Sequence, residues 1–201
     1  MARLALNKSS LSRQSRQLKT FQQFLPALDL KRRQLMAERS KARHVLARTR
    51  EELAEFTDHT VGRTLPMLAN QQVDLAGLVR VTQVDIGDEN VVGTHLPILQ
   101  AVHVEVHDYA LLGKPHWVDP LVMRLKTALE LRIRINVEER RLALLEQAVR
   151  IITQRVNLFD KVLIPRTQRN IKKVKLYLAD QERSAVVNAK LAKAKLGGPA
   201  G

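Results

Sequence analysis

The chain of 201 residues contains no cysteine, which excludes disulfide bonds and thiolate metal sites. Aromatic residues make up only 3% of the sequence, and glycine accounts for only 8 residues. Much of the remainder is Ala, Leu, Arg, Gln, Lys and Glu, which favour long helices. No run of 18 apolar residues is present, so we expect no membrane-spanning helix, and the basic N-terminus lacks the apolar stretch of a signal peptide. We therefore expect a cytoplasmic protein.

The motifs of common enzymes are missing as well. The sequence contains neither of the glycine-rich phosphate-binding patterns, G-x-x-x-x-G-K-[ST] and G-x-G-x-x-G. It also has no nucleophilic serine elbow and no H-E-x-x-H zinc motif. We therefore predict a chain that is not an enzyme alone, with no catalytic residues, no bound metal and no cofactor.

The net charge of +14 is concentrated at the two ends of the chain. Residues 1–50 carry +11 and residues 166–201 carry +7, whereas residues 51–165 carry −4. If the two ends lie side by side, one pole of the molecule holds nearly all of the excess positive charge. Such a pole would attract an acidic partner.

Apolar residues recur at heptad spacing through the first 60 residues, which predicts a long coiled-coil helix. Asn7, Ser9 or Ser10 can cap this helix by accepting a hydrogen bond from its first turn. Ten of the 16 a and d positions between 11 and 63 are apolar, namely Leu11, Leu18, Phe21, Leu25, Leu28, Leu35, Ala42, Leu46, Leu53 and Phe56. The other six weaken the seam: Gln14, Arg32, Arg39, Thr49, Thr60 and Arg63.

Glycine and proline then mark a change of structure. Pro26 predicts a local kink within the first helix, which we expect to end near Gly62 or Pro66. A short helix is predicted within residues 66–77. Alternating valines predict two strands of a small β-hairpin: Val79, Val81 and Val84 with Ile86, and Val102, Val104 and Val106. Turn chemistry places the loop at residues 87–90, with an extension as far as Pro97.

A second and longer helix is predicted from Asp119-Pro120, a cap followed by a proline at the first helical position. At 1.5 Å per residue, about 75 residues would span roughly 110 Å. Its heptad stripe is regular: Leu142, Leu145, Val149, Ile152, Val156, Phe159 and Leu163, and then Ile171, Val174 and Leu178. The step from Leu163 to Ile171 is one residue too long. Pro165 lies in that step, so we predict a kink and a register shift there.

Neither stripe can be buried by its own helix, so we predict that the two helices pair. The predicted fold class is all-α dominated, a long antiparallel two-helix coiled coil with a small β-hairpin-containing insert. The predicted divisions are an N-terminal coiled-coil helix over 8–62, an insert over 63–118, a C-terminal coiled-coil helix over 119–195 and a disordered tail over 196–201. The pairing makes a rod with both basic ends at one pole.

Two other groups of residues allow competing interpretations. His103, Glu105 and His107 project from one strand face, with His95 and His116 nearby, but we interpret them as a solvated face because this spacing is not an established metal motif. The basic runs could bind the phosphate backbone of a nucleic acid. No aromatic stacking residues lie between these charges, so a solvated face or a surface for an acidic protein is the preferred interpretation.

The last third of the chain resembles a known family. The run from Arg155 to Pro165, RVNLFDKVLIP, is similar to the R-V-N-A-L-E…V-x-I-P signature of the D subunit in V-type and archaeal-type rotary ATPases. Asn7-Lys8 and the block LDLKRRQL over 28–35 resemble the N-terminal motifs of the same family. The positions that carry the signature are Arg155, Val156, Asn157, Pro165, Glu182 and Arg183.

The resemblance implies a central rotor axle that couples ATP hydrolysis or synthesis to ion translocation in a membrane ring. The implied partners are the A and B subunits of the catalytic ring, the F subunit, and the C- or d-type subunit that couples to the membrane ring. The implied position is peripheral to the membrane. Candidate contacts with the catalytic ring are Lys8, Arg13, Arg16, Lys19, Arg183, Lys190 and Lys193. The alternatives are a basic coiled-coil nucleic-acid-binding protein and a helical adaptor of a membrane complex.

Overall fold

A computed structural model describes residues 4–68, 78–106 and 118–196. In chain order they form α1 (Lys8–Leu68), β1 (Val79–Val91), β2 (Thr94–Val106), α2 (Val118–Asn157), a π-helical turn (Leu158–Leu163) and α3 (Ile164–Leu196). This order confirms the predicted fold class of two long helical segments around a hairpin. The chain divides into a terminal unit, residues 1–31 and 151–201, and a central unit, residues 32–150.

The helix boundaries follow local chemistry. Asn7 caps α1, because its side-chain oxygen accepts the backbone N–H of Ser10 at 2.7 Å. The helix continues beyond Gly62 to Leu68 and includes Pro26 at an exposed position, where the kink stays a prediction. The short helix expected within 66–77 and the disordered tail fall mainly outside the described residues.

The seam of α1 lies where the heptad spacing predicted it. Every a and d position from Leu11 to Thr60 is buried or half-buried, including the polar ones. In the central unit, Arg43 pairs with Glu146 at 2.6 Å and Arg50 pairs with Glu139 at 2.7 Å. Since the partner number falls as the α1 number rises, the two helices run antiparallel in this unit.

The second seam is also confirmed, and the one-residue slip in it has a structural origin. All ten predicted stripe residues of α2, the π-helical turn and α3 are buried or half-buried. A π-helical turn takes one more residue per hydrogen-bonded ring than an α-helix, so it absorbs a single inserted residue. The extra residue therefore lies within Leu158–Leu163, just before Pro165.

Pro165 explains why the turn widens at this place. The N–H of Ile164 donates to the carbonyl of Phe159, five residues back, which is the π-helical pattern. Pro165 has no N–H, so it can make neither a π-helical nor an α-helical hydrogen bond. In an α-helix the proline ring would also crowd the carbonyl of Lys161, four residues back. The wider turn relieves this contact, and Thr167 then enters the seam with 5% exposure, its hydroxyl bonded to the carbonyl of Leu163 at 2.7 Å.

The hairpin is longer than the sequence suggested, and the predicted turn position is wrong. Residues 87–90 lie inside β1 and Pro97 lies inside β2, whereas the turn consists of Val92 and Gly93 alone. Both residues have positive φ, 53° and 72°, as a two-residue type I′ turn requires. A β-branched residue rarely adopts this conformation, so Val92 gave no turn signal.

Gly87, a predicted turn residue, is instead a point of close approach. A Cβ added there would lie 2.4 Å from Nε2 of Gln100 and 3.1 Å from Cγ2 of Ile98 on the neighbouring strand. The hairpin is fixed to α2 by Arg141, which pairs with Glu89 at 2.6 Å and donates to the carbonyl of Pro97 at 3.4 Å.

Deleting Lys161 together with Pro165→Ala, which removes the crowding proline ring, should convert the π-helical turn into ordinary α-helix without loss of stability. After the deletion, Ile164, Thr167, Ile171, Val174 and Leu178 follow Phe159 at spacings of four, three, four, three and four, an uninterrupted heptad pattern. We expect the melting temperature, followed by circular dichroism at 222 nm, to stay the same or rise.

Deletion of Gln147 is the matched control, because this exposed residue lies in a regular part of the stripe. It would displace Val149, Ile152 and Val156 from the seam, so we expect a loss of at least about 2 kcal/mol. Equal destabilisation by the two deletions would show that the turn does not hold the extra residue.

Replacing Val92 with Asn should stabilise the hairpin by about 1 kcal/mol, since Asn tolerates positive φ and Val does not. Slower hydrogen exchange at the backbone amides of β1 and β2 is the measurement. Gly93→Ala, which adds a Cβ at φ 72°, should have the opposite effect. Faster exchange in the Asn variant would contradict this account of the turn.

Candidate functional site

The terminal unit carries almost the whole net charge of the protein. Its sequence holds 17 Lys and Arg against 4 Asp and Glu, a net charge of +13, whereas the central unit holds 17 against 16. The first carboxylate along the chain is Asp29. The start of α1 is therefore basic and contributes no carboxylate of its own before Asp29.

All seven predicted contact residues belong to the terminal unit. Those on α1 and those on α3 are all exposed: Lys8, Arg13, Arg16, Lys19, Arg183, Lys190 and Lys193. Lys8 lies 4.0 Å from Glu182, and Arg183 lies 3.8 Å from Asp180. Exposed pairs of this kind contribute about 0–1 kcal/mol, so these cations remain available to a partner.

Contacts between α1 and the second helical segment align the two halves of the terminal unit. Asn170 donates to Gln14 at 3.4 Å, and the rings of Phe21 and Phe159 meet edge to face with centroids 5.4 Å apart. Phe159 lies in the π-helical turn. The aromatic pair therefore holds α1 directly against the point where the seam accommodates its extra residue.

The signature residues divide between core and surface. Val156 is a buried seam residue with 6% exposure, and Pro165 is half-buried beside the π-helical turn. Arg155, Asn157 and Glu182 are exposed. Part of the signature is thus explained by packing, and the exposed part is not.

The C-terminal end of α3 has an apolar surface that sequence analysis missed. Every described side chain from Asp180 to Lys193 is exposed, including Val186, Val187 and Leu191 at 54–57%. Because Lys8, the first residue of α1, lies beside Glu182, α3 continues for about four turns beyond this contact. The sequence does contain apolar residues at helical spacing here, but whether they are exposed depends on where α1 begins.

Two histidines of the hairpin contact aspartates of the neighbouring strand. His103 lies 3.1 Å from Asp85, and His95 lies 2.5 Å from Asp88. The hydrogen bond from Gln83, followed by that from His103, lowers the pKa of Asp85 below its ordinary value. No group of three or more possible metal ligands occurs among the described residues, and His107 and His116 lie outside them.

The central unit also contains a groove of about 560 Å³ between α1, β2 and α2. Its apolar wall includes Val45 and Ile98, both exposed, and Val137. Ion pairs neutralise much of its rim, Lys41 with Glu38 at 2.7 Å and Arg141 with Glu89 at 2.6 Å. Sequence analysis could not predict this groove, because it exists only where the hairpin packs on the helices.

None of the helices in the described ranges combines the length and the hydropathy needed to cross a bilayer.

Comparison with known proteins gives one consistent result. The sequence model of the family described as the D subunit of ATP synthase matches residues 10–194. A V-type ATP synthase D subunit from Borreliella burgdorferi is 32% identical, over 98% of this chain and 96% of that protein. The proteins of the same name from Chlamydia muridarum and Chlamydia trachomatis serovar L2 are 31% and 30% identical, each over 97% of both chains.

The contact between Phe21 and Phe159 can be measured by a double-mutant cycle. Phe21→Leu and Phe159→Leu should show a coupling energy of about 0.5–1.5 kcal/mol in urea unfolding, the range for edge-to-face pairs. Phe24, which is 57% exposed, supplies the control. Phe24→Leu and Phe159→Leu should be additive within about 0.5 kcal/mol. A cycle with equal coupling for both pairs would rule out a specific aromatic contact.

Proposed function

The chain belongs to the D-subunit family of ATP synthases, and we propose that it serves as the central rotor axle of a V-type ATP synthase. Its relatives are named as subunits of that complex, so the chain is one component of a multi-subunit assembly. The axle couples ATP hydrolysis or synthesis in the catalytic ring to rotation of the membrane ring. It is itself non-catalytic and lies at the cytoplasmic side of the membrane.

The proposed partners are the A and B subunits of the catalytic ring, the F subunit, and the C- or d-type subunit of the membrane ring. The terminal unit is the part that we assign to the catalytic ring. The observation that carries this assignment is its surface, which combines a net charge of +13 with an unpaired, apolar end of α3. Acidic groups of the ring would attract the positive charge of the terminal unit. An apolar surface of the ring would cover the apolar end of α3.

A rod without symmetry can drive rotation inside a ring of three equivalent sites. Because the rod presents a different side to each catalytic interface, it stabilises a different state at each of them. Hydrolysis at one interface then changes which orientation of the rod has the lowest free energy. By reciprocity, turning the rod changes the nucleotide affinity of each interface, so the same contacts support synthesis.

The asymmetry needed for this mechanism has a basis in the terminal unit. The π-helical turn and Pro165 occur on the second helical segment, whereas α1 has no π-helical turn in its described length. The two sides of the unit therefore differ in helical geometry as well as in sequence.

The nucleic-acid alternative finds no support in the comparisons, all of which name ATP synthase subunits. It also makes a separate prediction, since binding through phosphate contacts weakens steeply with salt.

Charge reversal of Arg13, Arg16 and Lys190 to Glu should weaken insertion into the catalytic ring. All three are exposed cations of the terminal unit, so their reversal removes attraction to acidic groups without disturbing the seam. We expect at least a tenfold loss of A and B subunits co-purifying with the tagged chain at physiological salt, or a comparable loss of coupled ion pumping.

The matched control reverses Arg48, Arg132 and Arg140, three exposed cations of the central unit. This variant has the same change in net charge and should retain A and B. Unchanged retention and coupling in the first variant would refute the assignment of the terminal cations. Recovery of nucleic acid without ATPase subunits would refute the proposed function itself.

A further inference from the structure

A row of exposed side chains follows the second helical segment in the terminal unit, about 100° around the helix from its seam. We call it the outer ridge, and its members succeed one another at spacings of three and four: Ile151, Arg155, Leu158, Val162, Arg166, Arg169, Lys173 and Leu176. Residues at these spacings are neighbours on a helix surface. The ridge therefore repeats the pattern of the seam on a side of the helix that the protein does not cover.

The apolar members of the ridge are unusual for a solvent-facing surface. Ile151, Leu158 and Val162 are 41–47% exposed, and Leu176 is 63% exposed. The surface of a paired helix outside its seam is normally polar, since apolar area in water has a free-energy cost of about 25 cal/mol per Å². Four such residues on one ridge indicate a surface that another molecule covers.

The remaining members of the ridge are all cations. Arg155, Arg166 and Lys173 take part in no salt bridge within the described residues, and Arg169 bonds only the backbone carbonyl of Pro165, at 3.4 Å. The ridge contains no carboxylate. Its charge is therefore uncompensated, and a partner with Asp or Glu between apolar residues would match both features.

The π-helical turn lies at the centre of the ridge. Leu158 and Val162 are its first and fifth residues, and none of its six side chains is buried. The seam residues Phe159 and Leu163 turn toward α1 from the same six positions. Insertions of this kind occur often at functional sites in helices.

We propose that the outer ridge is the docking surface for an amphipathic helix of another subunit, with apolar residues at heptad spacing and carboxylates beside them. The proposal rests on the proposed function in one respect, that the partner belongs to the same assembly. A helix fits because the ridge extends over 26 residues, about 39 Å of helix, with a helical repeat. A phosphate backbone would leave the four apolar side chains in water.

The first test uses the full chain and two synthetic peptides of four heptads. Both have Leu at positions a and d, and they differ in having Glu or Lys at e and g. By fluorescence anisotropy we expect saturable binding of the Glu peptide and at least tenfold weaker binding of the Lys peptide. The double variant Leu158→Ser, Val162→Ser should weaken binding of the Glu peptide at least tenfold.

Leu30→Ser is the matched control, because Leu30 is an exposed leucine of the same unit, 58% exposed, that lies outside the ridge. It should leave binding within twofold of the wild type, and circular dichroism should show that all variants stay folded. Equal binding of both peptides, equal loss in the control, or no binding of the Glu peptide would each overturn the proposal.

The second test uses the intact complex. A photo-crosslinking benzoylphenylalanine replaces Leu158 in the tagged chain, and in a control chain it replaces Gln168, an exposed residue off the ridge. We expect a covalent adduct with another subunit from position 158, within a helix that carries Asp or Glu, and none from position 168. If A and B co-purify without an adduct at 158, the ridge proposal fails and the proposed function stands. If they do not co-purify, the proposed function fails, and the peptide titration alone decides the ridge.

Discussion

Every other feature of this protein depends on the antiparallel seam between α1 and the second helical segment, because neither helix can bury its stripe alone. The seam is not uniformly apolar. Thr49 is buried in it and donates to Glu138 at 3.2 Å, while Arg39 Nε and Glu138 Oε2 find no hydrogen-bond partner in the described part of the chain. Buried polar groups of this kind lower stability, but they also penalise a slipped pairing of the helices. The polar positions of the seam therefore favour one register of the two helices at some cost in stability.

The seam and the outer ridge follow from the same one-dimensional pattern, yet only the seam could be predicted from the sequence. Spacings of three and four identified the stripe, since a helix brings those positions to one side whatever surrounds it. They could not show that the row from Ile151 to Leu176 stays exposed, nor that Val186, Val187 and Leu191 extend beyond the start of α1. Such facts depend on how two distant segments align. The prediction of the hairpin turn was wrong for a different reason. Val92 adopts a backbone conformation that its side chain disfavours, so its residue type does not indicate a turn at this position.

The distribution of charge gives the two units different roles in any assembly. Within the central unit, Arg43, Arg50 and Arg141 are matched by carboxylates of the facing elements, and its 17 cations are nearly balanced by 16 carboxylates. In the terminal unit the cations outnumber the carboxylates by 17 to 4. Excess charge of one sign destabilises a compact state through self-repulsion. The concentration of positive charge in the terminal unit is therefore better explained by binding to a partner than by folding.

The inserted residue at the π-helical turn connects these features. A residue added to a continuous α-helix rotates everything after it by about 100°. Without compensation, Ile171 and Val174 would leave the seam, and Arg166 and Lys173 would leave the line that begins at Ile151. The wider turn confines the extra residue to Leu158–Leu163, so that both faces keep their direction on either side of it. The helix thus keeps both its seam with α1 and its outer ridge in line. The distortion caused by the insertion is limited to one helical turn, and Leu158 and Val162 of that turn form the centre of the outer ridge.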